Sequence, residues 1–174
     1  MPSSSRVALG LGSSLGDRRQ HLEIALRRLD ALEEVCVVRV SGLVRTPPLY
    51  GGVARNWFLN GVAWIETQLR PGAFLERCVA LEARAGRRRG LRWADRPLDL
   101  DLLLFGDEVI ATPQLIVPHP AIADRRFVLE PLLEIWPDAR DPATSVSYAE
   151  LPPAPGPSPV PAGPLALGRQ LRYL

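Results

Sequence analysis

The chain has 174 residues, a net charge of +2 and a hydrophobic content of 47%, which fits one globular domain with a sizeable core. This charge is too small to indicate a nucleic-acid partner by itself. The first residues lack the pattern of a signal peptide, and no run of about 20 apolar residues predicts a membrane span. We therefore expect a cytoplasmic protein with no membrane partner.

The two cysteines, Cys36 and Cys78, lie far apart and match no metal-binding or redox spacing. Two buried thiols in a reducing cytoplasm are the expected interpretation.

The first half of the chain predicts a strand, a helix and two further strands. Apolar residues at 7–11 followed by glycines predict the first strand, and Asp17 is a candidate helix N-cap. Leucines recur at three- and four-residue intervals from Leu22 to Leu32, as in an amphipathic helix. β-branched residues at 35–44 predict the second strand, which the prolines and glycines at 45–52 interrupt. Alternation at 58–69 predicts the third strand.

The second half adds a helix, a strand and a trailing helix. Pro71 and Gly86 mark the two ends of the helix. A strand is expected at 98–105, a short return strand at 108–110 and a helix at 127–135. This order predicts an α+β fold, a ferredoxin-like split βαβ sandwich with a mainly antiparallel sheet and helices packed on it.

A proline-rich segment, LPPAPGPSPVPAGP, follows at 151–164. Its composition favours an extended, polyproline-like chain over helix or sheet, either as a stiff connector or as a wrap. A ligand for a proline-recognising domain is the alternative. The last ten residues, 165–174, could return as an edge strand. We accordingly expect one domain at 1–150 and a Pro-rich C-terminal extension at 151–174.

Two aspartates, Asp99 and Asp101, stand among the leucines of the predicted strand at 98–105. Residues two apart on a strand point to the same side, with Cα atoms roughly 6.5–7 Å apart. Two neighbouring carboxylates repel each other and lose hydration unless a cation neutralises them. Such a pair suits Mg²⁺, which completes its shell with waters and substrate phosphates. Salt bridges to nearby arginines are the alternative.

Five arginines precede this strand within ten residues: Arg87, Arg88, Arg89, Arg92 and Arg96. Bidentate bonds from arginine to phosphate are strong and orient the bound group. Together with the carboxylate pair, an arginine loop favours nucleotide phosphoryl transfer. An α+β nucleic-acid-binding module that uses the loop Arg87–Arg96 is the alternative. The sequence contains no Walker A loop.

Six stretches are distinctive and follow one another over about residues 6–137. They are LGLGSSLGD, RTPPL, FLNGVAWIET, LEARAGRRR, RWADRPLDLDLLLFGDEVI and VPHPAIADRRFVLEPLLEI. Together they resemble the 6-hydroxymethyl-7,8-dihydropterin pyrophosphokinase family of folate biosynthesis. The segment that contains the carboxylate pair is the most specific of the six. Ser14 departs from the family pattern, which commonly has asparagine there, and the arginine loop is shortened at Gly90.

The resemblance implies the ferredoxin-like fold and a diphosphotransferase (pyrophosphokinase) domain at 1–150. In the implied reaction, the β,γ-diphosphate of ATP passes to the hydroxymethyl oxygen of the pterin and AMP is released. The implied partners are therefore ATP and the hydroxymethyl dihydropterin, not nucleic acid, and the expected state is a monomer, with a homodimer as the alternative.

The resemblance also implies site residues. Asp99 and Asp101 would bind two Mg²⁺ ions and, with Arg87 and Arg96, form the catalytic set. The implied ATP-binding residues are Glu82, Arg89, Arg92, Leu102, His119 and Arg125. The implied pterin-binding residues are Thr46, Pro47, Leu49, Phe58, Asn60, Trp93 and Phe127.

Overall fold

The computed structural model describes residues 4–88, 90 and 94–167. A short 3₁₀ turn at Tyr148–Glu150 follows the last helix. The strands and helices are β1 Ser5–Ser13, α1 Arg18–Asp30, β2 Val35–Val40, β3 Leu43–Thr46, β4 Phe58–Thr67, α2 Pro71–Arg84, β5 Asp99–Phe105, β6 Ile110–Ala111, β7 Ile116–Val117, α3 Arg126–Ile135 and β8 Val160–Gly163.

The main sheet has six strands in the order β5-β1-β4-β3-β8, and β2 also pairs with β4. All of these pairings are antiparallel, and β6 and β7 form a separate two-stranded sheet. The order of the strands and the two helices between them confirm the predicted ferredoxin-like α+β fold.

The two faces of the sheet pack against different helices. One face forms a core with α1 and α2 that includes Leu100 and Leu102. The other face packs against α3 in a second core. A bulge interrupts the pairing of β5 with β1 near Leu103. An extra residue on one strand changes which face the following side chains occupy, and Leu103 and Leu104 both lie in the second core.

Helix α3 is held on the sheet by stacked aromatic and cationic side chains. The guanidinium of Arg6, on β1, lies 3.9 Å from the ring centroid of Trp64 and 4.5 Å from that of Trp136. Cation–π contacts of this kind are attractive. They join β1 and β4 to the end of α3, whose first turn carries Phe127.

The prediction of a single strand at 35–44 was wrong, because the chain breaks at Ser41. The Ser41 N–H donates to the Val62 carbonyl, and the Ser41 hydroxyl accepts from the Val62 N–H, each at 2.9 Å. The side chain therefore satisfies an N–H that a regular strand would bind through its main chain. Strand β3 then resumes and extends through Thr46, past the predicted break at 45, with Thr46 opposite Phe58.

The proline-rich segment was predicted not to enter a sheet, and this was wrong for Val160–Gly163. These residues form β8, which pairs with β3 and places Pro161 opposite Val44. Proline is tolerated here because β8 is an edge strand. The predicted edge strand at 165–174 is not seen in 165–167, and its remaining residues lie outside the described ranges. The domain boundary at residue 150 stays a prediction.

Strand β8 and the segment after it also contact α1. The Arg19 guanidinium donates to the carbonyls of Ala162, at 2.6 Å, and of Pro164. The Ala166 N–H donates to Glu23 at 3.1 Å, and Leu167 is buried in the core beneath α1 and α2. The segment therefore wraps around the fold.

Two predicted helix ends are confirmed. The Asp17 side chain accepts from the Gln20 N–H at 3.0 Å at the start of α1. After α2, Gly86 has a φ of +91°, a conformation that favours glycine, and the Arg87 N–H then donates to the Glu82 carbonyl. Within 4–88, 90 and 94–167, no helix combines the length and apolar character needed to cross a membrane.

Candidate active site

A cleft of about 240 Å³ opens on the α3 face of the sheet. Strands β1, β4 and β5 form its floor, and the segment after β3 and the start of α3 form its walls. The lining residues that the sequence predicted are Thr46, Pro47, Leu49, Phe58, Asn60, Arg96, Asp99, Asp101, His119, Arg125 and Phe127.

The floor of the cleft depends on two glycines of β1 that were not predicted as site residues. A Cβ at Gly10 would lie 3.4 Å from Asp101 Cβ, and one at Gly12 would lie 3.3 Å from Asn60 Oδ1 and 3.5 Å from Asp99 Cβ. A side chain at Gly12 would crowd the Asn60 amide, and one at Gly10 would fill space in the cleft beside Asp101. The pattern Gly-x-Gly in a strand carries this signal, since glycine there marks close approach of other groups.

Asp99 and Asp101 both line the cleft, as the alternation of β5 predicts. Leu100 lies between them and packs in the core on the other face. The geometric prediction that both carboxylates project to one side is therefore confirmed.

The two carboxylates have different partners. Asp99 Oδ1 accepts hydrogen bonds from Arg87 Nη1 at 2.8 Å and from Arg96 Nη1 at 3.0 Å. For Asp99, the salt-bridge alternative is thus realised in this structure. Asp101 has no ion pair within the described residues, and burial, followed by the charge of Asp99, raises its pKa to about 7. The site therefore holds a partly buried carboxylate that lacks a direct counter-charge.

This imbalance fits a divalent cation. Among the described residues, no group of three or more His, Cys, Asp or Glu side chains could enclose a metal by itself. Two carboxylates at one end of a cleft instead suit Mg²⁺, which takes most of its ligands from water and phosphate. The donor set is oxygen only, as this ion prefers.

Glu82 lies behind the pair and does not line the cleft. Its Oε1 accepts from the Leu100 N–H at 2.7 Å and also forms an ion pair with Arg87. Because β5 is the edge strand on this side of the sheet, Glu82 satisfies a main-chain N–H that no strand would pair. Burial raises the pKa of Glu82, while the bonds from Leu100 and Arg87 oppose the shift.

Arg96 is fixed by the end of β1. The Ser14 hydroxyl accepts from the Arg96 N–H at 2.8 Å, and the Ser14 N–H donates to the Arg96 carbonyl at 2.8 Å. Ser14, noted as a departure from the family pattern, therefore still ties this loop to the sheet. These two hydrogen bonds, one through the Ser14 main chain and one through its hydroxyl, hold the backbone of Arg96, whose side chain reaches Asp99.

A flatter, less charged part of the cleft lies at β4. Asn60 is buried, and its Nδ2 donates to Thr46 Oγ1 at 2.9 Å. Phe58 and Phe127 line the same cleft from β4 and α3. Aromatic rings beside an oriented amide are suited to a planar ligand with hydrogen-bonding edges.

His119 and Arg125 add nitrogen donors on the wall. The His119 Nδ1 accepts from the Ala121 N–H at 3.1 Å, so the neutral ring carries its proton on Nε2. Burial, and then the charge of Arg125, lowers the pKa of His119. The Arg125 guanidinium lies 5.9 Å from the ring centroid of Phe127.

Glu82 and Arg87 do not line the cleft, and four further predicted residues lack a side-chain position in it. Arg89, Arg92 and Trp93 lie outside the described residues. The Leu102 side chain packs in the core on the opposite face of the sheet, so only its main chain is left for a nucleotide contact.

The fold and the cleft together define an α+β protein whose cleft joins paired carboxylates, arginines and aromatic side chains. The family model described as 7,8-dihydro-6-hydroxymethylpterin-pyrophosphokinase (HPPK) matches residues 8–137. The chain belongs to this family, which confirms the resemblance seen in the sequence.

Three curated relatives have the name 2-amino-4-hydroxy-6-hydroxymethyldihydropteridine pyrophosphokinase. The relative from Pseudomonas aeruginosa is 43% identical over 137 residues, or 79% of this chain and 84% of the relative. The one from Bacillus subtilis is 43% identical over 137 residues, with 79% and 81% covered. The one from Methylorubrum extorquens is 41% identical over 134 residues, with 77% and 84% covered.

Solved structures share the fold at low identity. A Plasmodium falciparum HPPK-DHPS variant with pteroate gives a TM-score of 0.67 at 13% identity, covering 84% of this chain and 40% of that chain. The wild-type protein with pteroate gives 0.60 at 16% identity, with 83% and 41% covered. This chain thus spans about 40% of those longer chains. None of these comparisons supports the nucleic-acid-binding alternative.

Proposed function

We propose that this protein transfers the β,γ-diphosphate of ATP to 6-hydroxymethyl-7,8-dihydropterin and releases AMP, in a reaction that requires Mg²⁺. Membership of the pyrophosphokinase family supports this step of folate biosynthesis. The observation that carries the proposal is the juxtaposition, in one cleft, of Asp99 and Asp101 with Asn60, Phe58 and Phe127. A half that carries the charged side chains and an aromatic half lie side by side there.

The aromatic half would bind the pterin. Its flat ring gains from stacking against Phe58 and Phe127. Because one N–H of the Asn60 amide is already bound to Thr46, the orientation of the amide is set. Its oxygen and second N–H are left for the donor and acceptor edge of the pterin, while Pro47 and Leu49 border the ring.

The charged half would bind the nucleotide phosphates. Asp99 and Asp101 would hold Mg²⁺, and we propose two ions because a triphosphate and two carboxylates supply enough oxygen ligands. When bound, Mg²⁺ neutralises phosphate charge and lowers the proton affinity of the attacking hydroxyl. Arg87 and Arg96 would leave Asp99 and bind phosphate oxygens, to which arginine donates in pairs. His119 and Arg125 would contact the nucleotide.

The chemistry needs no nucleophile from the protein. The hydroxymethyl oxygen of the pterin forms a bond to the β-phosphorus of ATP and releases its proton to water. The bond between that phosphorus and the α,β-bridging oxygen breaks, and its electron pair leaves with AMP. The side chains contribute by placing the two substrates in line and by stabilising the charge that develops on the phosphate oxygens.

One incubation tests the proposal. The protein, ATP, MgCl₂ and the hydroxymethyl dihydropterin should yield AMP and the pterin diphosphate in equal amounts, measured by chromatography and ³¹P NMR. Omission of the pterin is the control and should leave ATP intact. ADP as the sole nucleotide product would contradict the proposal, because it indicates transfer of a single phosphoryl group.

A cytoplasmic monomer remains our prediction, and sedimentation distinguishes it from a homodimer.

A further inference from the structure

Asp95 joins two loops at the mouth of the cleft. Its Oδ2 accepts from the Arg55 N–H at 3.0 Å and from Asn56 Nδ2 at 2.9 Å, and its Oδ1 accepts from the Asn56 N–H at 3.1 Å. We call these three hydrogen bonds the Asp95 latch. Two successive main-chain N–H groups on one carboxylate form a strong, directional contact.

The Asp95 side of the latch is attached to the sheet. The next residue, Arg96, exchanges main-chain and side-chain hydrogen bonds with Ser14 at the end of β1. The carboxylate is therefore presented from a fixed position. Burial acts to raise the pKa of Asp95, but the hydrogen bonds from Arg55 and Asn56 outweigh it and lower the pKa, so the group is charged at neutral pH.

The opposite side of the latch would otherwise be weakly held. Arg55, Asn56 and Trp57 are all exposed. Besides the latch, Arg18 Nη1 of α1 donates to the Trp57 carbonyl at 2.7 Å. Exposed loop segments with few contacts open at low free energy, so the position of residues 54–57 depends on these few bonds.

The latch acts directly on the lining of the cleft. Ala54 and Ala94 both line it, and each immediately precedes a latched residue. Phe58, proposed to stack on the pterin, begins β4 two residues after Asn56. Opening the latch would therefore free the two segments that carry Ala54 and Ala94 and release the residues that lead into Phe58.

We propose that Asp95 is a positioning residue that closes the mouth of the cleft and retains the pterin substrate. This inference rests on the proposed function for the identity of the ligand. The latch does not reach Asp99 or Asp101, so it acts on retention of the pterin and not on the transfer step. A contact that only stabilises the conformation of an exposed loop would leave substrate binding unchanged.

The first measurement concerns the latch alone. In Asp95→Asn the side chain keeps its size, loses its charge and retains one acceptor atom. Amide hydrogen exchange at Arg55 and Asn56, followed by mass spectrometry or NMR, should accelerate about tenfold relative to the wild type. The matched control is Asp107→Asn, at an exposed turn after β5, which should leave both amides unchanged.

The second measurement concerns the substrate. The dissociation constant of the pterin, from its fluorescence in the absence of ATP, should rise about fivefold in Asp95→Asn, as expected for lost charge-assisted hydrogen bonds. In turnover, KM for the pterin should rise while KM for ATP and kcat stay within about twofold of the wild type. Asn56→Ala should have a smaller effect of the same kind, and the double variant should be less than additive.

The outcomes are distinct. Unchanged exchange at Arg55 and Asn56 would overturn the latch, and faster exchange with an unchanged pterin dissociation constant would overturn its role in retention. A fall in kcat with unchanged pterin affinity would also contradict it. Failure of the proposed function has a different signature, because wild-type protein would then produce no AMP, whereas the exchange and binding measurements need no turnover.

Discussion

Arg87 Nη1 lies 2.8 Å from Asp99 Oδ1 and also forms an ion pair with Glu82. One guanidinium thus joins the end of α2 to the first residue of β5. The same Asp99 oxygen also accepts from Arg96, so it is shared between two cations. We expect Mg²⁺ and ATP to compete with these arginines for Asp99, and Arg87 to change partner from carboxylate to phosphate as the site fills.

Asp99→Asn and Asp101→Asn should each lower kcat by about a hundredfold or more, because each removes a proposed Mg²⁺ ligand and its charge. Circular dichroism should show the fold unchanged. Asp138→Asn, an exposed aspartate distant in sequence, is the control and should be fully active. Wild-type turnover in either of the two site variants would contradict the assignment of the metal ligands.

Arg87→Ala should lower kcat by about ten- to a hundredfold while the pterin dissociation constant stays unchanged, because the lost interaction is with the phosphates. Arg84→Ala, in the last turn of α2 and exposed, serves as the matched control. Pre-steady-state kinetics and pterin fluorescence separate the two effects. Normal turnover with lost pterin affinity would contradict this assignment, because it would mean that Arg87 acts on the pterin and not on the phosphates.

Stability should depend on pH through Asp101, whose pKa is raised from 3.8 to about 7 by burial and then by Asp99. Because the folded-state pKa exceeds the unfolded-state value, this group stabilises the fold most at low pH, and that contribution is lost as pH rises through 7. With EDTA present, Asp101→Asn should raise Tm by about 2–4 °C at pH 8, and less at pH 5. Calorimetry at both pH values gives the comparison.

Mg²⁺ provides the converse test. At pH 8 the ion should raise the Tm of the wild type, because it binds the folded state and neutralises the pair. The same addition should have little effect on Asp101→Asn. An equal Tm gain in both proteins would mean that the ion binds elsewhere.

Thr46→Val should weaken pterin binding about tenfold while leaving ATP binding unchanged, because it removes the acceptor that orients the Asn60 amide. A buried donor left without a partner costs about 1–3 kcal/mol. Titration calorimetry measures both ligands, and Thr144→Val, at an exposed position, is the control. Equal losses for pterin and ATP would indicate a general loss of structure.

The two thiols should react differently. Burial raises the pKa of Cys78 to about 12, so its reactive thiolate is scarce at pH 8. Cys36 lies partly exposed on β2, so the prediction that both thiols are buried was wrong for Cys36. Iodoacetamide should therefore modify Cys36 in the native protein, and Cys78 only after denaturation, as peptide mass spectrometry would show. Equal native labelling of both would contradict the burial of Cys78.

The sequence predicts the elements that local rules govern. Alternation places Asp99 and Asp101 on one face, and Asp17 and Gly86 mark helix ends through their own backbone chemistry. The break at Ser41 was not predictable in this way, because it depends on a side chain that replaces a main-chain acceptor for Val62, 21 residues away.

Other contacts of the site depend on the assembled fold. Asp95 binds residues 39 and 40 positions earlier, and nothing in the local sequence distinguishes it from an ordinary loop aspartate. Composition likewise argued against a strand at Val160–Gly163. Pro161 is tolerated there because the strand lies at the sheet edge, and composition does not reveal that position. Family resemblance located the cleft residues well, but it carries no information about the segment after 137.

Strand β8 has a consequence for handling the protein. A chain shortened before residue 160 would keep every residue of the cleft, yet the outer main-chain groups of residues 43–45 would be left without the partner they have in β8. Unpaired main-chain N–H and C=O groups at a sheet edge can form hydrogen bonds with strands of neighbouring molecules. In the complete fold Pro161 has no N–H to offer a further strand, so the tail is expected to keep the molecules apart in concentrated solution.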